Sequence, residues 1–162
     1  MTGFFEDLVV GERIDIGTHV FTAAEIKTFA REFDPQSFHV DEEAARSSHF
    51  GALCASGWQT AAIGMRLMVD YRTRKVEEAH SRGDAVGAFG PASGFRDLQW
   101  RKPVFAGDAI SYAIEVTDKR ASRSRPERGL FDLRFTATNQ HGEQVFSVIC
   151  TAFIGRRDAG SV

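Results

Sequence analysis

Long apolar runs are missing from this 162-residue chain. No stretch approaches the roughly 20 residues a membrane-crossing helix needs, so neither a membrane-integral protein nor a membrane partner is expected. Cysteine is scarce. Cys54 and Cys150 lie far apart, and neither has a second Cys at metal-ligand or redox-motif spacing. They read as reduced core thiols and make a cytoplasmic location the default. Charge of one sign is lacking too, since 20 Lys+Arg stand against 22 Asp+Glu. That balance offers no basic field to nucleic acid. The opening Met1–Asp7 carries acids where a signal peptide needs bases, which gives no expectation of export.

Common catalytic signatures are equally absent. There is no Walker loop, HExxH or GxSxG, and Gly87, Gly90 and Gly94 miss dinucleotide-binding spacing. His19, His49, His80 and His141 form no ligand grouping, so no metal is expected.

What is present is apolar mass. Fourteen Phe against two Trp and two Tyr supply core area with few hydrogen-bond obligations, enough for one globular domain over residues 1–162. Arg13 to Phe21 reads as a short strand. Thr22 with Glu25 forms a capping-box pattern that opens a helix to about Phe33, where Asp34-Pro35 stops it, with Phe33 as its last buried rung. A loop, Asp34 to Asp41, leads to a second helix start at which Asp41 caps Glu42–Arg46, leaving His39 just outside that helix. Ser56, paired with Gln59 as another capping box, starts the longest helical pattern, to about Glu78, with Trp58, Ala61, Ala62, Met65, Met68 and Val69 as its stripe. Five extended runs follow: Ala85 to Phe89, Phe95 to Trp100, Asp108 to Asp118, Leu130 to Asn139 and Gln144 to Ile154. Val145 to Ile154 is apolar on both faces and reads as an interior strand.

Asp34 precedes His39 by five residues in a loop closed by Pro35. A carboxylate and an imidazole so placed can share one water and exchange protons near neutral pH. The same residues also suit a turn cap and a satisfied histidine. Ser56 suits a helix cap rather than a nucleophile, because no base sits at a recognisable spacing from it.

The run Phe33-Asp34-Pro35-Gln36-Ser37-Phe38-His39-Val40-Asp41, followed by Phe50-Gly51-x-Leu53-x-Ala55-Ser56-Gly57-Trp58, resembles the MaoC-like dehydratase family, which includes (R)-specific enoyl-CoA hydratases. Asp34, His39, Asp41 and Gly57 match that family's hydratase motif, and Gln36 stands where many hydratases have Asn. Trp100-Arg101-Lys102-Pro103-Val104 with Gly107-Asp108, and Ser122-Arg123-Ser124-Arg125-Pro126, resemble one branch of it, so the likeness spans essentially the whole chain.

The resemblance implies a hot-dog fold of the α+β class, in which a curved antiparallel sheet wraps one long helix; the Ser56–Glu78 pattern and the later strands suit it. It implies a homodimer, or a dimer of dimers, acting on an acyl-CoA or acyl-carrier thioester. Coenzyme A would enter only as part of the substrate, and no other cofactor is needed, since adding water transfers no electrons. Asp34 and His39 would activate water for addition to a trans-2-enoyl thioester, with His39 shuttling the proton to the α carbon. The Gly57 amide at a helix N-terminus would polarise the thioester carbonyl, although close helix–sheet packing also explains a glycine there. Gln36, Ser56 and Trp58 are candidate substrate contacts. Arg123 and Arg125 could meet the phosphates of coenzyme A, or simply form a solvated hairpin. The alternatives are a hot-dog acyl-CoA thioesterase and a non-catalytic acyl-thioester-binding subunit.

Overall fold

The computed structural model describes residues 3–157. Along the chain run β1 (Arg13–Val20), α1 (Ala23–Phe33), α2 (Ser37–Val40), α3 (Glu42–Arg46), α4 (Gly57–Ser81), β2 (Phe89–Trp100), β3 (Ala109–Ala121), β4 (Arg128–Thr138) and β5 (Gln144–Gly155). The strands form one antiparallel sheet in the order β1-β3-β4-β5-β2, and α4 packs on its inner face in the hot-dog arrangement.

Alternation selects the inner face. Ile110, Tyr112, Ile114 and Val116 of β3, and Phe131, Leu133, Phe135 and Ala137 of β4, are all buried. β5 lies between β4 and β2, as its two apolar faces suggest.

The sheet meets α4 through small residues. A Cβ on Gly64 would stand 2.5 Å from Phe135 Cζ and 2.8 Å from Tyr112 Cε1, so only glycine lets helix and sheet come this close. The Tyr112 hydroxyl donates to the Thr60 carbonyl at 2.9 Å, which fixes the first turns of α4 against β3. That bond is worth about 1 kcal/mol net.

Several expectations need correction. The stripe Trp58, Met65 and Val69 faces outward, at 54%, 47% and 48% exposure, while Thr60 and Gly64 face the sheet. Two stripes compete on this helix, and the one that allows closer approach is buried, although Met68 does pack on the core. The Ser56–Gln59 capping box does not form: Ser56 Oγ accepts from the Trp58 amide at 3.2 Å, and among the described residues the buried Gln59 Oε1 has no partner. Phe33 is 65% exposed and packs its ring on Phe29 instead. Periodicity tells which side of a helix is apolar, not how far along it the core extends. Ala85–Ala88 is not a strand; Phe89 to Trp100 is one edge strand whose register against β5 breaks repeatedly around Gly90, Pro91 and Gly94. His39 sits inside a one-turn helix, α2, rather than in a loop.

Candidate active site

α1 ends where Pro35 forbids its continuation, and its C-cap residue is Asp34. One turn later His39 is buried in α2. The segment Leu53–Ser56 then passes beside both, held on its other flank by the Ala55 amide bonded to the Val104 carbonyl at 2.7 Å and by a bridge between Cys54 and Phe105. Two chain reversals therefore bring Asp34, His39 and the start of α4 together.

The histidine's orientation follows from its backbone partner. His39 Nδ1 lies 2.7 Å from the Cys54 carbonyl oxygen, which can only accept, so Nδ1 carries the hydrogen. In the neutral ring the lone pair is then on Nε2, 3.5 Å from Asp34 Oδ2. Gln36 Nε2 donates to Asp34 Oδ1 at 2.8 Å. Partial burial pushes the Asp34 carboxyl upward, but the Ser56 and Gln36 side chains and the neighbouring imidazole outweigh it and hold the group below its usual value. Asp34 is thus a carboxylate held by neutral donors, with one oxygen toward His39. The adjoining Cys54 Sγ lies 3.7 Å from His39 Nδ1, and burial pushes this thiol up to about 11, so it stays protonated.

These groups open on a cavity of about 430 Å³. Asp34, Gln36, His39, Ser56, Gly57 and Trp58 all line it. Gly57 is the first residue of a 25-residue helix, where the amide has no intrahelical acceptor and the helix dipole favours developing negative charge. A close approach accounts for the glycine: an added Cβ would stand 2.6 Å from the Trp100 indole. Asp41 accepts from the Ala44 amide at 2.8 Å and caps α3; it does not line the cavity.

Arg123 and Arg125 are elsewhere. Both are exposed on the β3–β4 connection, and neither lines the cavity. The cavity adjoins the start of β3 and the connection its end, roughly 40 Å along 13 residues of strand. The cations at the cavity are Arg101 and Lys102, the latter ion-paired with Glu143. Trp100, Arg101, Lys102 and Val104 of one family-like run, Phe50 of the other and Val145 of the interior strand also line the space, although nothing in the sequence marks them as site residues. Among the described residues no cluster of His, Cys, Asp and Glu is arranged to hold a metal ion.

Comparison with known proteins places this geometry. The model of the MaoC like domain matches residues 9–139. A MaoC-like dehydratase from Rhodospirillum rubrum superposes with a TM-score of 0.81 at 41% identity, over 95% of this chain and 97% of that one. An R-hydratase of Pseudomonas aeruginosa, solved unliganded, shares the fold with a TM-score of 0.68 at 19% identity, over 96% of this chain and 88% of its own. The YdeM protein of Bacillus subtilis (strain 168) is 29% identical over 93% of this chain and 98% of its own length. With a family model spanning most of its length and a solved relative at 41% identity, the chain belongs to the MaoC-like dehydratase family.

Proposed function

We propose that the protein reversibly adds water to a trans-2-enoyl thioester to give an (R)-3-hydroxyacyl thioester. The observation that carries this reading is the pairing of Asp34 Oδ2 with His39 Nε2 at 3.5 Å, in a cavity shared with the free amide of Gly57. A water seated between them donates one hydrogen to each. Its oxygen attacks the β carbon while Nε2 takes the proton, and the C=C electron pair moves toward the thioester carbonyl, where the Gly57 amide meets the charge. The imidazolium then returns that proton to the α carbon as the enolate collapses. Water has been added across the double bond and nothing oxidised or reduced, so the reading includes no resident cofactor. Delivery of oxygen and proton from one side follows from the single Asp34–His39 unit. The R configuration rests on the fold shared with proteins described as (R)-hydratases, one from Pseudomonas aeruginosa and one from A. caviae, the latter involved in PHA biosynthesis.

The reading extends to the carrier and to assembly. The thioester's anionic carrier meets Arg101 and Lys102 at the cavity instead of the remote Arg123 and Arg125. A second copy covers the outward stripe Trp58, Met65 and Val69 and exposed Phe95 on the edge strand β2, giving a homodimer.

Loss of the conjugated enoyl-thioester absorbance, with free thiol followed in parallel, tests the reaction. Loss without thiol is expected, and His39→Ala should abolish it while the fold and oligomer size stay unchanged. Thiol release would instead establish a thioesterase, and silence in both channels a binder.

A further inference from the structure

Trp100 ends β2, about forty residues after the helix start it touches. A Cβ built on Gly57 would stand 2.6 Å from Trp100 Nε1, 2.6 Å from Cε2 and 2.8 Å from Cδ1. Those three atoms make the N–H edge of the five-membered ring. The near-equal distances put the Cβ position over the face of the five-membered ring, so it is the pyrrole half of the indole, not the benzene half, that stacks on the Gly57 backbone and brings Nε1 beside it. Indole nitrogen can only donate, and among the described residues no protein group accepts from it.

The ring is also held in place. Trp100 pairs with Phe146 across the sheet, the next amide donates to the Val145 carbonyl at 2.8 Å, and Trp58 meets the indole edge-to-face with centroids 5.1 Å apart and planes at 76°. Trp100 lines the same cavity as Asp34 and His39. A donor with no protein acceptor is therefore fixed beside the one backbone amide already positioned for the substrate's carbonyl.

We propose that Trp100 Nε1–H is a second hydrogen-bond donor to the thioester carbonyl oxygen, completing with the Gly57 amide a two-donor site for the enolate charge. This rests on the hydratase reading. As oxygen bonds to the β carbon, the C=C pair shifts into the Cα–C bond and the carbonyl π pair onto oxygen; two preorganised donors stabilise that charge more than one does. The proton still comes and goes through His39, so Trp100 changes no proton balance.

Two variants separate a donor from a wall. Trp100→Phe keeps a ring and removes the N–H; it is expected to lower kcat about 10²-fold, the effect of deleting one oxyanion donor, with KM little changed. Trp100→His keeps a ring N–H and should recover part of that loss. Difference infrared spectroscopy of a bound saturated acyl-CoA, which cannot be hydrated, provides a readout without turnover. The carbonyl stretch should be lowered in the wild type and move back toward its solution value in Trp100→Phe, with unchanged circular dichroism. An unaltered kcat together with an unaltered carbonyl frequency would overturn the proposal, as would a rise in KM alone, which marks a pocket wall. A wild-type chain that lowers the carbonyl frequency but hydrates no enoyl thioester would overturn the hydratase reading and leave the infrared comparison to judge Trp100.

Discussion

Two carboxylates, Asp34 in the loop–helix region and Asp132 on the outer face of the sheet, are both held below their usual pKa, yet by different means. Asp132 takes Arg96 Nη2 at 2.8 Å on one oxygen and Thr151 Oγ1 at 2.6 Å on the other. A cation and a hydroxyl each hold one of its oxygens, and its role is to tie β2, β4 and β5 together. Asp34 is held by the neutral Gln36 and keeps Oδ2 toward His39 and a cavity. A carboxylate paired with a cation from another strand links the sheet. One kept ionised by neutral donors retains an oxygen for a ligand's proton.

Asn substitutions break this comparison most directly. Asp34→Asn should lower hydration kcat by about 10²- to 10⁴-fold, the range for a positioned acid–base group, with the midpoint of thermal unfolding unchanged. Asp132→Asn should do the reverse, keeping kcat while losing about 1–2 kcal/mol through the weakened bond from Thr151, as measured by urea unfolding. If Asp34→Asn lost stability instead of activity, the contrast between the two sites would be gone.

Acid sharpens it further. The Arg96 hydrogen bond lowers the Asp132 pKa below 3.8, and burial only partly opposes it. As pH falls the unfolded chain therefore takes up that proton first. The stabilisation is whole above 3.8 and drains as pH drops through the lower folded value, so the stability gap between wild type and Asp132→Asn should be flat near neutrality and shrink below about pH 4. The smallest effect is expected at the remote hairpin: Arg123→Ala with Arg125→Ala should leave kcat/KM for an acyl-CoA unchanged, and a marked rise in KM would place the carrier there after all.

Much of the fold could be read from local chemistry. Thr22 caps α1 through the Glu25 amide and Asp41 caps α3 through the Ala44 amide, each within one turn of sequence. The alternations of β3 and β4 mark their buried faces because period two leaves a strand only two sides. β2 resisted the same reading. Its glycines and proline look like breaks, but pairing with β5 along one edge carries the strand through them. The outward stripe of α4 misled for a similar reason. Two faces of the helix are apolar or small, and the choice was made by Phe135 and Tyr112 through the space they leave at Gly64.

The Asp34–His39 pair was visible because both residues lie within one short segment whose geometry Pro35 and two helix ends restrict. Which nitrogen of His39 faces Asp34 was not, since that depends on the carbonyl of Cys54, fifteen residues on. Trp100, Arg101 and Lys102 were hidden as site residues because they reach the cavity only through the pairing of β2 with β5. The sequence by itself determined the caps of α1 and α3, the alternating faces, the long helix and the closeness of Asp34 to His39, all set by interactions across a few neighbouring residues. The tertiary structure alone decided the tautomer, the buried side of α4 and the approach of the Trp100 indole to Gly57, because those depend on contacts between segments far apart in the chain, and no local pattern encodes them.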